Sequence, residues 1–98
     1  MKGLIMRIMA LDIGDTRVGV AVSAPGERVA SPVAVLPASE VLNCAKPFQR
    51  ALEDWEPELL LCGLPYTMAG AEGPQAARIR KAAKTISDAC GIPYEFAD

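Results

Sequence analysis

The stretch MALDIGDTRVGVAVS, from Met9 to Ser23, decides the fold, because two apolar runs flank a short polar turn. The turn, residues 14–17, begins with a glycine and continues with side chains that hydrogen-bond to nearby backbone. This pattern predicts a β-hairpin. One carboxylate, Asp12, falls near the end of the first strand. It either hydrogen-bonds to backbone groups of the turn or is the first ligand of a metal site.

A third strand and a helix are predicted after the hairpin. Residues 29–37, VASPVAVLP, contain two prolines that lack a backbone donor and favour the edge of a sheet. The helix that follows has Ser39 as a candidate N-cap, and Pro47 favours a regular helix that starts there. Its expected core face is formed by apolar residues at helical spacing: Val41, Ala45, Phe48, Leu52 and Trp55.

The second half of the chain predicts two more strands and one more helix. Residues 59–65, LLLCGLP, show no alternation, which is typical of a parallel strand covered on both faces. Pro74 lies early in the next helix, and Gly91 is its candidate C-cap. The order β-β-β-α-β-α-β predicts an α/β mixed sheet. We expect a three-stranded antiparallel meander, then two parallel strands, with helices packed on the sheet.

Length and composition limit the class of protein. With 98 residues, the chain is expected to form one domain over residues 1–98. The chain has three dispersed cysteines and no histidine, which argues against a Cys/His zinc site. The odd number of cysteines favours reduced thiols in the cytoplasm. Arg7 and Asp12 interrupt the apolar start, which disfavours a signal peptide. No apolar run approaches the ~20 residues of a membrane span, so no membrane partner is expected.

Three blocks of the sequence resemble the YqgF family, RNase H-like bacterial proteins described as Holliday junction resolvases or pre-16S rRNA nucleases. The blocks are ALDIGDTRVGVAVS, ELLLCGLPYTMAGAEGPQAARIRKAAKTI and GIPYEFAD, within residues 9–98. The resemblance implies an RNase H-like sheet and a nuclease that uses Mg²⁺ or Mn²⁺ to hydrolyse phosphodiesters. It also implies a nucleic-acid partner, either the 5′ end of pre-16S rRNA or branched DNA.

The resemblance also implies the catalytic residues and metal ligands. Asp12 matches the family's first catalytic Asp, and Asp98 matches the Asp of its Asp-Glu-Arg triplet. The Glu and Arg of that triplet, and a later acidic residue of the family, have no counterpart in this sequence. We therefore expect a domain that lacks the family's C-terminal helical part. In the central loop, Thr67 and Ala69 stand where the family often has Asn and Asp.

Several residues are candidates for contact with nucleic acid. Arg17 follows the hairpin turn, and Thr67 can hydrogen-bond from the central loop. Arg78, Lys81 and Lys84 recur at helical spacing, which fits either a phosphate-binding face or a solvated helix face.

The GLP block, residues 63–65, also admits two interpretations. Gly63 either lets backbone amides approach a phosphate or serves only turn geometry.

Two other functions are consistent with the sequence. One is an inactive, truncated or degenerate RNase H-like domain that binds or dimerises, with a homodimer covering apolar sheet surface. The other is a phosphate-binding ATPase domain of the actin and sugar-kinase type, because its first hairpin also reads Asp-x-Gly. Ninety-eight residues cannot supply the second lobe that such an ATPase needs.

Overall fold

The computed structural model describes residues 6–23, 30–65 and 73–97. The strands are β1 (Ile8–Ile13), β2 (Arg17–Ser23), β3 (Ser31–Pro37), β4 (Leu59–Gly63) and β5 (Tyr94–Ala97), and the helices are α1 (Ala38–Leu42), α2 (Lys46–Trp55) and α3 (Pro74–Cys90). The sheet order is β3-β2-β1-β4-β5. Pairing is antiparallel from β3 through β1 and parallel from β1 through β5. The predicted α/β mixed sheet is confirmed. No described helix is long and apolar enough to cross a bilayer.

The hairpin between β1 and β2 is closed by a tight turn. The Gly14 N–H donates to the Arg17 carbonyl over 2.9 Å. A Cβ on Gly14 would lie 2.9 Å from that same carbonyl oxygen, so a side chain there would push the turn apart. The turn therefore depends on glycine at this position, and it fixes the register that places Asp12 opposite Gly19.

The core lies on one face of the sheet. Burial alternates along β1 and β2, as expected when one face is covered and the other is open. The three described helices all contribute buried residues to that covered face. The core comprises Met9, Leu11, Ile13, Val18, Val20, Val22, Ala38, Val41, Phe48, Leu60, Cys62, Leu64, Ala76, Ile79, Ala83 and Ile86.

The prediction that β4 is covered on both faces is wrong for the described residues. Leu60 and Cys62 are fully buried, but Leu61 is only half-buried and Gly63 is exposed. We call the side of the sheet that carries Leu61 and Gly63 the open face. A strand covered on both faces and a strand with one face along an open groove can have the same continuous apolar sequence. The sequence pattern therefore could not distinguish these two environments.

The single predicted helix over residues 41–55 is divided into α1 and α2. Pro47 lies in the first turn of α2, as expected, and it cannot donate the hydrogen bond that would continue α1. The Ser39 prediction is wrong, because Pro37 is the N-cap residue of α1 and no side chain caps that helix. The break also ends the continuous apolar stripe. Phe48 is fully buried, but Trp55 is 46% exposed instead of lying in the core.

Both predicted ends of α3 are confirmed. Gly73 is the N-cap residue and Pro74 is the first helical residue. Gly91 adopts the left-handed conformation, with φ of 76°, and its N–H donates to the Ser87 carbonyl over 2.8 Å. The Ser87 hydroxyl then donates to the Ile92 carbonyl over 2.6 Å, which fixes the chain as it turns into β5.

Candidate active site

Asp12 is exposed on the open face, one residue before β1 ends. Its neighbours Leu11 and Ile13 are buried, so strand alternation directs the carboxylate away from the core. Across the hairpin, a Cβ on Gly19 would lie 3.6 Å from the Asp12 Cβ. A longer side chain at Gly19 would therefore restrict Asp12, and the glycine leaves the carboxylate unobstructed on that side.

Two cavities meet at Asp12. An apolar groove of about 430 Å³ runs along the open face past Gly19 and Gly63. It is lined by Ala10, Leu11, Asp12, Gly19, Val20, Ala21, Pro32, Ala34, Val35, Leu61, Gly63 and Ala97. A polar pocket over the hairpin turn shares Asp12 and is also lined by Asp15, Thr16 and Arg17. The carboxylate thus stands at the junction of an apolar groove and a polar pocket.

The carboxyl ends of the three parallel strands meet at the edge that holds Asp12. Gly63 at the end of β4 pairs with Ala97 at the end of β5, and both line the groove. Neighbouring strands lie about 4.8 Å apart, so β1 and β5 are separated by about 10 Å. Asp98 follows Ala97 in the chain and lies outside the described residues. Its prediction as a second catalytic carboxylate stays a prediction.

The described residues alone do not complete a metal centre. No group of three or more His, Cys, Asp or Glu within residues 6–23, 30–65 and 73–97 could hold a metal ion. Mg²⁺ and Mn²⁺ prefer oxygen ligands, so the Asp12 carboxylate is a suitable single ligand for either. Metal binding by Asp12 and Asp98 therefore stays a prediction.

Arg17 lies on the same face as Asp12. It opens β2, is exposed, and lines the polar pocket beside Asp12. A guanidinium in this position supplies positive charge next to the carboxylate, which suits an approaching phosphate. Thr67, the other predicted contact, lies outside the described residues.

The basic residues of α3 are divided between two environments. The Arg78 guanidinium lies 3.2 Å from the Asp15 carboxylate, so the first half of α3 reaches the hairpin turn beside Asp12. Lys84 instead pairs with Asp88 over 2.8 Å, and that hydrogen bond raises the pKa of the Lys84 ammonium. Lys81 and Lys84 lie about 4.5 and 9 Å beyond Arg78 along the helix axis. The structure therefore brings Arg78, but not Lys84, to the edge of the site.

Two residues of the site are missing from the sequence interpretation. Gly19 had a usable signal, because a glycine inside a strand often marks a close approach. Asp15 had none as a partner of Arg78, since the pair joins positions that are 63 residues apart and depends on how α3 packs.

Comparison with known proteins identifies a family. A family model described as RuvX: Holliday junction resolvase matches residues 6–98. A relative from Roseiflexus sp. (strain RS-1) is 36% identical over 92 residues, covering 94% of this chain and 65% of its own. Another, from Heliobacterium modesticaldum, is 37% identical over 93 residues, covering 95% and 62%. Both are provisionally named pre-16S rRNA nucleases. The chain spans less than two thirds of the length of these relatives.

Solved structures show the same fold. Thermus thermophilus RuvC matches with a TM-score of 0.55 and 16% identity, over 94% of this chain and 63% of RuvC. The same protein in complex with a Holliday junction substrate gives the same score and identity, over 64% of its chain. At this identity the likeness shows the fold alone, and it confirms the RNase H-like sheet.

Proposed function

Because the chain belongs to the RuvX family of Holliday junction resolvases, the YqgF family of the resemblance, we propose that it carries part of the active site of a metal-dependent nuclease. The observation that carries this proposal is the exposed Asp12 carboxylate at the carboxyl edge of β1. In open α/β sheets, ligands bind at this edge. The reaction would be hydrolysis of a phosphodiester bond in nucleic acid.

Two carboxylates would serve the metal in this proposal. Asp12 and Asp98 would each offer oxygen ligands to Mg²⁺ or Mn²⁺. Such an ion supplies a polarised water and charge neutralisation for phosphodiester cleavage. Of these two carboxylates, Asp12 belongs to the described residues and Asp98 lies outside them.

Phosphate contacts would come from local positive charge, because the whole chain has a formal net charge of −2. Arg17 beside Asp12 is one such contact. Arg78 is another, since its ion pair with Asp15 is exposed on both sides and therefore weak enough to exchange for a phosphate. Thr67, Lys81 and Lys84 stay in the proposal as outer contacts, with Lys84 the least available because of Asp88.

The proposed substrate is structured RNA, namely the 5′ end of pre-16S rRNA. The two relatives compared above carry this name and are 36% and 37% identical to the chain over 92 and 93 residues. Branched DNA is the second candidate, supported by the family description and by the RuvC complex with its Holliday junction substrate. Processing of rRNA would place the protein in the cytoplasm.

A second function is supported by two observations on the described residues: they alone do not complete a metal centre, and they leave an apolar face of the sheet open. In this alternative, the chain is an inactive RNase H-like domain that binds partners or forms a homodimer through the open face. Its signature would be a folded protein with no cleavage of any nucleic acid and a stable dimer in sedimentation.

A cleavage assay tests the proposed nuclease. The wild-type chain and Asp12→Asn are each incubated with Mn²⁺ and either a 5′-labelled pre-16S rRNA leader fragment or a four-way DNA junction. We expect the wild type to cleave the RNA and Asp12→Asn to be inactive with equal folded fraction. Cleavage that survives Asp12→Asn would contradict the proposed role of Asp12.

A further inference from the structure

Gly63 is a glycine that the described fold does not require. Among the residues the structure describes, Gly91 is the glycine with positive φ, so the Gly63 backbone is one that any residue adopts. A Cβ on Gly63 would meet no atom of the described residues within 4 Å, apart from its chain neighbours. Glycine also weakens a strand, because it loses more conformational freedom on folding than any other residue. Turn geometry, one of the two interpretations of this position, therefore does not explain the glycine.

Gly63 lies beside Asp12 on the open face. The paired residues Leu11 and Cys62 are buried, and the next residue on each strand points the opposite way. Those next residues are Asp12 and Gly63, about one strand spacing apart. With Gly19 on its other side, Asp12 stands between two glycines that line the same groove.

Gly19 and Gly63 differ in what a side chain at each position would contact. A Cβ on Gly19 would contact Asp12 at 3.6 Å, so the position of the carboxylate gives an internal reason for that glycine. Above Gly63 the space is empty of described atoms, so an internal reason is not found there. Gly63 is the last residue of β4, and a strand glycine that no described neighbour requires is typical of a place where a ligand or another backbone comes close.

We propose that Gly63 is the close-approach position for the substrate, where the sugar–phosphate backbone of the cleaved strand lies against the main chain of β4. This inference rests on the proposed nuclease function and names how its substrate is held. The apolar groove floor at Leu61 and Ala97 suits contact with the C–H atoms of the ribose, and Arg17 supplies positive charge on the same face for the phosphate. A side chain at position 63 would hold the strand away from Asp12.

The test compares Gly63→Ala and Gly63→Val with wild type. Both variants should fold with an unchanged or raised Tm, because the backbone accepts a side chain there and valine favours strands. With Mn²⁺ and the pre-16S rRNA leader fragment, kcat/KM should fall about tenfold for Gly63→Ala and further for Gly63→Val. Fluorescence anisotropy with the same RNA, in Ca²⁺, should show a higher Kd for Gly63→Val.

Gly91→Ala is the matched control, because it should change stability without changing cleavage. Gly91 has φ of 76° and lies at the far end of α3, so alanine there is strained but remote from Asp12. We expect a lower Tm with unchanged cleavage per folded molecule. Gly63→Ala should show the reverse pattern, which separates substrate approach from general destabilisation.

Each remaining outcome decides the inference. If Asp12→Asn is inactive but Gly63→Val cleaves and binds RNA as wild type does, the inference is wrong and the nuclease function stands. If the wild type binds RNA without cleaving it, the nuclease function fails, and weaker binding by Gly63→Val supports the close approach of a bound RNA backbone at Gly63 alone. If the wild type binds neither RNA nor a four-way junction, both the inference and the nuclease function are overturned.

Sedimentation tests a different role for Gly63. A change in the sedimentation of Gly63→Val without a change in its RNA binding would assign Gly63 to a protein contact and overturn the inference.

Discussion

At the scale of single residues, the fold dictates where charge and reactivity can lie. Asp12 is exposed because both its strand neighbours are buried, and Gly14 is fixed by a backbone oxygen 2.9 Å from where its Cβ would be. Cys62 shows the opposite case, a polarisable thiol held inside the core. Alternation along a strand predicts the environments of Asp12 and Cys62 once the covered face is known, because adjacent residues must point to opposite sides. The environment of Gly14 depends on the hairpin turn instead.

Cys62 gives the protein a predicted pH dependence of stability. Burial raises the pKa of its thiol from 9.0 to about 11, whereas unfolding would return it to the ordinary value. Between those values the unfolded state holds fewer protons than the folded state, so the free energy of unfolding falls as pH rises, with no effect below pH 9. Urea unfolding at pH 8 and pH 10.5 should show a larger loss for wild type than for Cys62→Ala. Equal losses in the two proteins would contradict the prediction.

At the scale of elements, the helices show where a periodic pattern succeeds and where it fails. Both ends of α3 could be predicted, because Pro74 and Gly91 act on their own local backbone. The division of α1 from α2 could be predicted only in part. Pro47 signalled the start of α2, but nothing in the spacing showed that the break would leave Trp55 exposed. Helix orientation depends on packing between elements, which local spacing does not record.

Phe48 and Trp55 provide a matched pair on α2. Phe48 is fully buried, so Phe48→Ala should lower the free energy of unfolding by about 3–5 kcal/mol through lost contacts and a cavity. Trp55 is 46% exposed at the last residue of the helix, so Trp55→Ala should cost much less, about 1 kcal/mol. Urea titrations of both variants measure the difference. Similar losses would mean that Trp55 belongs to the core after all.

The basic residues of α3 differ in their predicted contribution to RNA binding. Arg78 reaches the hairpin turn, so Arg78→Ala should reduce the slope of log Kd against log salt by about 1. Lys84 is held by Asp88 further along the helix, so Lys84→Ala should reduce the slope by less than Arg78→Ala does. Anisotropy titrations of the RNA fragment at several salt concentrations make the comparison. A larger change for Lys84→Ala would move the binding path away from the hairpin.

At the scale of the whole molecule, the described residues cover one face of the sheet and leave the other open, and Asp12 lies on the open face. The antiparallel meander and the parallel strands could be predicted because the hairpin, the proline-containing edge strand and the parallel run are local signals, whereas the pairing of β4 with β1 has no local signal. The open face could not, because Leu61 and Gly63 carry no mark of what covers them. Asp12 could be singled out from the sequence, but its setting between two glycines needed the register of β1 with both neighbours.

The proposed nuclease function requires Asp12 to bind a metal ion at this open edge, and a Mn²⁺ titration measures that binding. Calorimetry or Mn²⁺ electron paramagnetic resonance would compare wild type with Asp12→Asn and with Asp15→Asn. Asp15 is a fitting control because it is exposed and lines the same polar pocket. We expect Mn²⁺ binding by wild type and Asp15→Asn, and a loss of at least about tenfold in affinity for Asp12→Asn. Equal Mn²⁺ affinity in wild type and Asp12→Asn would contradict the proposed role of Asp12 as a metal ligand.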